Sequence, residues 1–160
     1  MKRQTMESMK VRTTRRSALR AVAVAMATAM LRPHQLLAAW WNKAAFDARA
    51  IADALKGIGV TATEESDKIV LKAPEIAENG AIVPLEIASQ IPGTQAIYIL
   101  VDRNPQPLTA IFEFTNGAEA FVATRIKMYE SSGIRIVARA GGKFYTTMRE
   151  VKVTIGGCGP

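Results

Sequence analysis

The chain has 160 residues, of which 22% are charged, and its 21 basic and 14 acidic side chains give a formal net charge of +7. The first 39 residues hold eight of the basic side chains and one acidic side chain, so residues 40–160 are formally neutral, with 13 charges of each sign. The high overall charge therefore gives no reason to expect a nucleic-acid-binding protein.

The first 39 residues have the features of an export signal. Arg15 and Arg16 form a twin-arginine pair, and an apolar stretch that is too short to cross a bilayer follows at 21–31. Ala38 and Ala39 offer a cleavage site with small residues. The order of basic, apolar and small residues predicts a cleaved twin-arginine signal over residues 1–39 and a periplasmic protein. A basic amphipathic N-terminal helix is the alternative interpretation.

Removal of this signal would leave no histidine, because the chain has one, His34. Cys158 is the one cysteine. These counts exclude a Ser-His-Asp triad, a Cys-His pair, a self-contained His/Cys zinc site and an internal disulfide in the mature chain. An odd cysteine in an oxidising compartment is either reactive or paired with another chain.

Residues 40–155 are predicted to form one domain that begins with a helix. Asn42 is a suitable N-cap, and the apolar residues that follow recur at helical spacing up to Gly57, which marks the C-terminal end. The pattern predicts one amphipathic helix of about four turns.

Seven segments with strand-like patterns come next, at 67–73, 81–88, 95–102, 108–114, 120–128, 133–140 and 143–155. Turn signals between them include Asn79-Gly80, Asn116-Gly117 and Gly141-Gly142. We therefore expect a mainly β protein: an immunoglobulin-like antiparallel β-sandwich of about seven strands with an N-terminal helix and a flexible C-terminal arm.

Three strands carry more specific expectations. The segment 95–102 is almost continuously apolar, which predicts a central strand. Pro84 cannot donate to a sheet ladder, so its strand is expected at an edge or with a bulge. In 143–155 the apolar side chains change parity, and we expect a bulge or a break near Arg149-Glu150, because one regular strand cannot keep both sets directed inward.

The chain ends in "TIGGCGP", where Cys158 stands between Gly156-Gly157 and Gly159. Glycines on both sides make a flexible tether at residues 156–160, and three residues beyond Ile155 reach about 10 Å at full extension. A thiol on such an arm suits a group carrier whose partners supply the chemistry. A frayed terminus with an accidental cysteine is the alternative.

Several segments resemble the SoxY family, the sulfur-carrier subunits of the periplasmic thiosulfate-oxidising (Sox) system. They are "ADALK", "ESDKIVLKAPEIAENGAIVPLEI", "TRIKM" and "REVKVTIGGCG". The resemblance implies that Cys158 holds covalent sulfur intermediates, that the chain is not an enzyme by itself, and that it needs no cofactor or metal. In place of the family's last glycine stands Pro160, which restricts the end of the arm but leaves Gly156 and Gly157 unchanged.

The resemblance also implies partners. A SoxZ-like subunit would form a heterodimer with this chain. The haem-containing SoxAX would couple thiosulfate oxidatively to Cys158, the hydrolase SoxB would release sulfate, and in some organisms the sulfane dehydrogenase SoxCD would oxidise the remaining sulfur.

The alternative function is an exported structural or interaction β-sandwich whose cysteine forms an intermolecular disulfide. Arg125, Lys127, Arg135 and Arg139 could share the outward side of adjacent strands, where they would attract an anionic partner surface or the anionic sulfur adduct. A solvated sheet face is the alternative interpretation, because outward charges are the expected alternation.

Overall fold

The computed structural model describes residues 42–155. They contain two short helices and nine strands. The elements are α1 (Lys43–Phe46), α2 (Ile51–Gly57), β1 (Glu64–Glu65), β2 (Ile69–Lys72), β3 (Ile76–Asn79), β4 (Val83–Ser89), β5 (Thr94–Val101), β6 (Leu108–Glu113), β7 (Phe121–Ile126), β8 (Ser132–Ala140) and β9 (Lys143–Ile155). Neither helix of this described part is long and apolar enough to cross a membrane.

The strands form two sheets. The larger sheet has the order β1-β9-β8-β5-β6, and β3 also pairs with β9; the smaller sheet has the order β2-β4-β7. All pairs are antiparallel except β1–β9 and β3–β9, which are parallel. The predicted β-sandwich is confirmed. All seven predicted strands are present, and β1 and β3 are additional.

The larger sheet is covered on both faces, because side chains alternate along its strands. On β5, Ile97, Ile99 and Val101 pack between the two sheets, while Tyr98 and Leu100 lie on the opposite face. That outer face carries a second apolar cluster, which α1 and α2 cover. Residues 42–155 therefore form three layers: helices, larger sheet and smaller sheet. The prediction of a central strand at 95–102 is confirmed.

The single predicted helix is in fact two. Asn42 does cap α1, since its side chain accepts a hydrogen bond from the amide of Ala45 at 3.1 Å. The helical run ends at Phe46 and restarts at Ile51. The break folds α2 back onto α1, and a Cβ on Gly57 would lie 2.8 Å from both Cα and Cβ of Ala45. Gly57 thus allows close helix packing as well as ending α2.

The expectation for Pro84 was partly wrong. Its strand, β4, is the central strand of the smaller sheet, and its register with β7 has no bulge. The pairing of β2 with β4 ends at Lys72 and Glu86, so Pro84 lies beyond the last residue of β2. A proline is tolerated there because no β2 residue stands opposite it.

The predicted bulge in β9 is wrong. β9 pairs with β8 in unbroken register from Lys143 to Val151. The two apolar sets do not share one core: Val151 packs between the sheets, whereas Phe144 packs on the outer face with α1 and α2. A regular strand can bury both sets of apolar side chains, because a different layer covers each face of the larger sheet.

The predicted turns are present. Gly141 and Gly142, with φ of 57° and 76°, connect β8 to β9 as a two-residue hairpin. Asn116 and Gly117 also have positive φ, but their turn links β6 in the larger sheet to β7 in the smaller one. The turn at Asn79 likewise passes from β3 to β4, between sheets.

Candidate functional site

The predicted carrier residue and arm, Cys158 with Gly156, Gly157 and Gly159, lie outside the described residues. The same holds for the predicted export signal. The structure does describe the residues from which the arm would start, at the end of β9. We call residues 152–155 the arm base.

The arm base extends beyond β8. The first pair between β8 and β9 joins Ser132 to Val151, so β8 offers no partner strand to the four residues that follow. β3 supplies that partner on the other edge of β9, with Ile76 opposite Lys152 and Asn79 opposite Ile155. The pairing holds the arm base in strand conformation up to its last residue.

Hydrogen bonds outside the ladder fix the arm base from both edges. On the β8 edge, the Ser131 hydroxyl accepts from the Val153 amide at 2.9 Å and donates to the Val153 carbonyl at 3.4 Å. On the β3 edge, the Thr154 hydroxyl donates to the carbonyl of Glu78 at 3.0 Å. The amide of Gly80 donates to the carbonyl of Ile155 at 2.9 Å.

Burial falls sharply along these residues. Val151 is buried between the sheets, Val153 is partly buried against the same core, and Ile155 is 69% exposed. The inward side chains of Val151 and Val153 hold β9 against the core, while Ile155 lies at the surface. A tether that starts there begins in solvent rather than in the core.

Charges near the arm base are exposed. Glu75 forms an ion pair with Arg149 at 3.7 Å, and its carbonyl accepts a hydrogen bond from the Lys152 amide. Residues 42–155 contain neither histidine nor cysteine. They also hold no group of three or more acidic side chains placed to bind a metal. The described part of the chain therefore offers no imidazole or thiol for chemistry at the arm.

The expectation that four cations share one face is wrong. Arg125 belongs to β7 in the smaller sheet, whereas Arg135 and Arg139 belong to β8 in the larger sheet. Lys127 follows β7, with its ammonium 4.4 Å from the centroid of the Tyr129 ring. Because the two sheets present different outer surfaces, these residues do not form one anion-binding patch.

The outer face of the larger sheet, beyond the helices, combines polar and apolar groups. Arg135 lies 3.7 Å from the carboxylate of Asp102 and 3.5 Å from the sulfur of Met148, which is 50% exposed. Further along the same face, burial raises the pKa of Tyr98, the nearby Arg139 opposes the rise, and Glu113 adds to it. Tyr98 therefore belongs to the packing of this face as a neutral phenol.

An open groove among the described residues has a volume of about 830 Å³. It lies where β2 stops short along β4, and Lys72, Pro74, Pro84 and Arg125 line it. Lys72 is paired with Glu86 at 3.0 Å across the same strands. The groove follows from the short length of β2 and does not include the arm base.

Sequence reasoning missed the residues that hold the arm base. β3 has one inward apolar residue, Ala77, so its segment shows no strand-like alternation. Ser131 stands in a polar loop, where its hydroxyl has no distinguishing pattern. The Asn79-Gly80 turn signal coincides with the end of β3. A turn signal alone does not predict the strand that precedes it.

Comparison with known proteins gives a family match and similar solved structures. The family model described as "Sulfur oxidation protein SoxY" matches residues 55–158. Among solved structures, the sulfur carrier protein SoxY from Chlorobium limicola f. thiosulfatophilum is similar, with 41% identity over 65% of this chain and 96% of that chain, and a TM-score of 0.59. A superoxide reductase (neelaredoxin) from Ignicoccus hospitalis also matches, with 14% identity over 57% of this chain and 94% of that chain, and a TM-score of 0.48. No curated protein matches.

Proposed function

This chain belongs to the SoxY family of sulfur oxidation proteins, and from that membership we propose that it carries thiosulfate-derived intermediates bound covalently to Cys158. The observation that carries the proposal is that the family match extends through residue 158, so the cysteine falls within the matched domain. The exposed end of β9 supports it, because a carrier arm needs an anchored start at the surface.

The proposed loading step joins two sulfur atoms. The Cys158 thiol loses its proton and forms a disulfide-type bond with the outer sulfur of thiosulfate, which gives a cysteine S-thiosulfonate and releases two electrons. The haem-containing partner SoxAX accepts those electrons. Water then attacks the terminal sulfonate in the hydrolase SoxB, sulfate leaves, and a persulfide stays on Cys158 for SoxCD where that enzyme is present.

In this scheme the chain positions its cargo and its partners perform the chemistry. The described residues have no imidazole that could act as a base near neutral pH. The chain would therefore act as a non-enzymatic carrier that needs no cofactor. Its setting would be the periplasm, after export through the twin-arginine pathway, in a heterodimer with a SoxZ-like subunit.

The test is the intact mass of the protein purified from cells grown on thiosulfate. We expect a mass increase that corresponds to a thiosulfonate or persulfide, localised to the C-terminal peptide and removed by reductant. Cys158→Ala should lack the adduct and abolish thiosulfate oxidation. An unmodified Cys158, or full thiosulfate oxidation by Cys158→Ala, would refute the proposal.

The alternative, an intermolecular crosslink, predicts a different result in the same samples. A structural disulfide would appear as a covalent dimer on a non-reducing gel of freshly prepared protein, and it would persist without thiosulfate. A carrier should be mostly monomeric on that gel when thiols are blocked before lysis.

A further inference from the structure

We propose that β3, together with the hydroxyl groups of Ser131 and Thr154, sets the length of the carrier arm by fixing its pivot at Ile155. The proposal rests on the proposed function for its biological meaning, because an arm needs a cargo. The pivot itself is a property of the described residues and can be measured without any partner. Ser131 and Thr154 are therefore positioning residues.

The first step concerns where β9 would end without β3. β8 pairs with β9 only as far as Val151, and β1 pairs with β9 only at Tyr145 and Thr146. If β3 were absent, residues 152–155 would have no partner strand on either edge. Strand pairing of β9 would then end at Val151, four residues earlier than it does.

The second step concerns what holds the arm base. Ser131 bonds both the amide and the carbonyl of Val153, and thereby occupies the edge that β8 leaves open. The Thr154 hydroxyl bonds the Glu78 carbonyl on the β3 edge. These two side chains act on opposite edges of β9, so they resist fraying from both directions.

The third step concerns how far Cys158 can lie from the point where the arm starts. From Ile155, Cys158 is three residues away, which corresponds to at most about 10 Å between Cα atoms. From Val151 the same cysteine would be seven residues away, or about 24 Å. β3 and Ser131 together thus shorten the maximum reach by more than half. A partner's reactive centre must come within the shorter distance of the carrier surface.

A short arm has a kinetic advantage for a partner that docks close to it. The effective concentration of a tethered group falls roughly as the −3/2 power of tether length once the tether exceeds the span. Lengthening from three to seven residues should lower that concentration about three- to fourfold. The pivot therefore favours transfer to docked partners over encounters with distant thiols.

The first measurement is amide hydrogen exchange in the double variant Ser131→Ala/Thr154→Val. The double variant removes three hydrogen bonds, two made by Ser131 and one made by Thr154. Each lost bond should accelerate exchange about fivefold, so the Val153 amide and its neighbours in the arm base should exchange on the order of 100-fold faster. Amides of β5 should not change. Thr154→Ser, which keeps the hydroxyl, should restore much of the protection that Thr154→Val removes.

Matched controls remove similar bonds elsewhere. Thr109→Val deletes a hydroxyl bond to the carbonyl of Pro107, and Ser66→Ala deletes one from the amide of Lys68. Both should leave exchange in the arm base unchanged. If the controls accelerate it as much as the double variant does, the effect is a general loss of stability and the assignment to Ser131 and Thr154 is wrong.

The second measurement is reach. Nitroxide labels on Cys158 and on an introduced Ala52→Cys in α2, an exposed position, give a distance distribution by pulsed electron paramagnetic resonance. Replacing Ile76–Asn79 by Gly-Ser-Gly-Ser removes β3, and Ser131→Ala in the same variant removes the bonds that would still hold Val153. The distribution should broaden about 1.5-fold, because the r.m.s. extent of a flexible chain grows as the square root of its length. An unchanged width in a folded variant would overturn the proposal.

The third measurement connects the pivot to transfer. In the β3 replacement, partner-dependent loading with thiosulfate should slow about three- to fourfold, while alkylation of Cys158 by iodoacetamide should keep its rate. Equal loading rates would show that the pivot has no role in transfer. If wild-type protein is never loaded, the proposed function fails, yet the exchange and distance measurements still decide the pivot. If the β3 replacement does not fold, the double variant decides both exchange and loading, with a smaller expected change in loading.

Discussion

Gly57 shows how a single residue can set the arrangement of two helices. Its α-carbon faces Ala45 so closely that any side chain would contact the backbone of α1. Ala45 and Ala54 are both fully buried at this contact. Small residues at the crossing let α1 and α2 together cover the outer face of the larger sheet.

Gly57→Ala should therefore destabilise the protein although alanine is the better helix former. The propensity gain is about 1 kcal/mol, while forcing a methyl group into a contact of 2.8 Å against backbone should cost more, about 1–3 kcal/mol net. Urea denaturation followed by circular dichroism gives the value. Lys56→Ala, at an exposed neighbouring position, is the control and should change stability by less than about 0.5 kcal/mol. A stabilised Gly57→Ala would show that the helices separate at no cost.

Pro160 is the second residue with a specific expectation. It changes the far side of the proposed carrier cysteine and leaves Gly156 and Gly157 in place. We expect Pro160→Gly to change the loading rate of Cys158 only modestly, as measured by mass spectrometry over time with purified partners. A gain above about tenfold, equal to 1.4 kcal/mol in the barrier, would show that the proline obstructs entry to a partner.

At the scale of elements, the strands with clear period-two or continuous apolar patterns could be predicted from sequence. β5 and β8 are examples, since their buried residues recur at the spacing that the pattern indicates. β1 and β3 could not be predicted, because two and four residues with one buried side chain between them make no pattern. They exist because β9 offers a free edge, which is a tertiary property.

The error about β9 has a physical cause. The prediction assumed one core, so Phe144 and Val151 had to face the same way. The structure has a core on each face of the larger sheet. In the helix, packing on that sheet overrides the local propensity for a continuous run. For the candidate site, the sequence alone indicated Cys158 and its glycines, which stay predictions. It did not indicate the groups that hold the arm base.

The hairpin at Gly141-Gly142 gives a prediction at this scale. Both residues have positive φ, and Asn is the residue other than Gly that best adopts this conformation. Gly141→Asn should be neutral or stabilise by up to about 1 kcal/mol, by restricting the unfolded chain. Gly141→Val should destabilise by about 1–3 kcal/mol, because a β-branched residue is strained there. Thermal denaturation of the pair checks this, and equal stabilities would contradict the turn geometry.

At the scale of the whole molecule, the apolar cluster between the larger sheet and the helices makes the free energy of unfolding depend on pH. Tyr98 lies between the larger sheet and the helices, with its ring centroid 6.5 Å from that of Phe144. Burial raises its pKa in the folded protein above the ordinary value of about 10. Since the unfolded chain releases this proton first, the stabilising contribution is complete below pH 10 and is lost as pH rises towards the folded pKa.

Tyr98→Phe should remove this part of the pH dependence. We expect the free energy of unfolding to fall less between pH 8 and pH 10.5 in the variant than in the wild-type protein, as measured by urea denaturation at both pH values. A slope that is identical in the two proteins would show that the phenol is as easily ionised in the folded state as in the unfolded one.

The long pairing of β9 also has a mechanical consequence. The antiparallel hydrogen bonds between β8 and β9 run perpendicular to the strands, and β9 ends at Ile155. A pull along the strand axis at that end loads the ladder in shear, so its bonds bear the tension together instead of breaking one at a time. A partner that grips the chain beyond Ile155 would therefore draw the whole domain towards itself before it peeled the strand away.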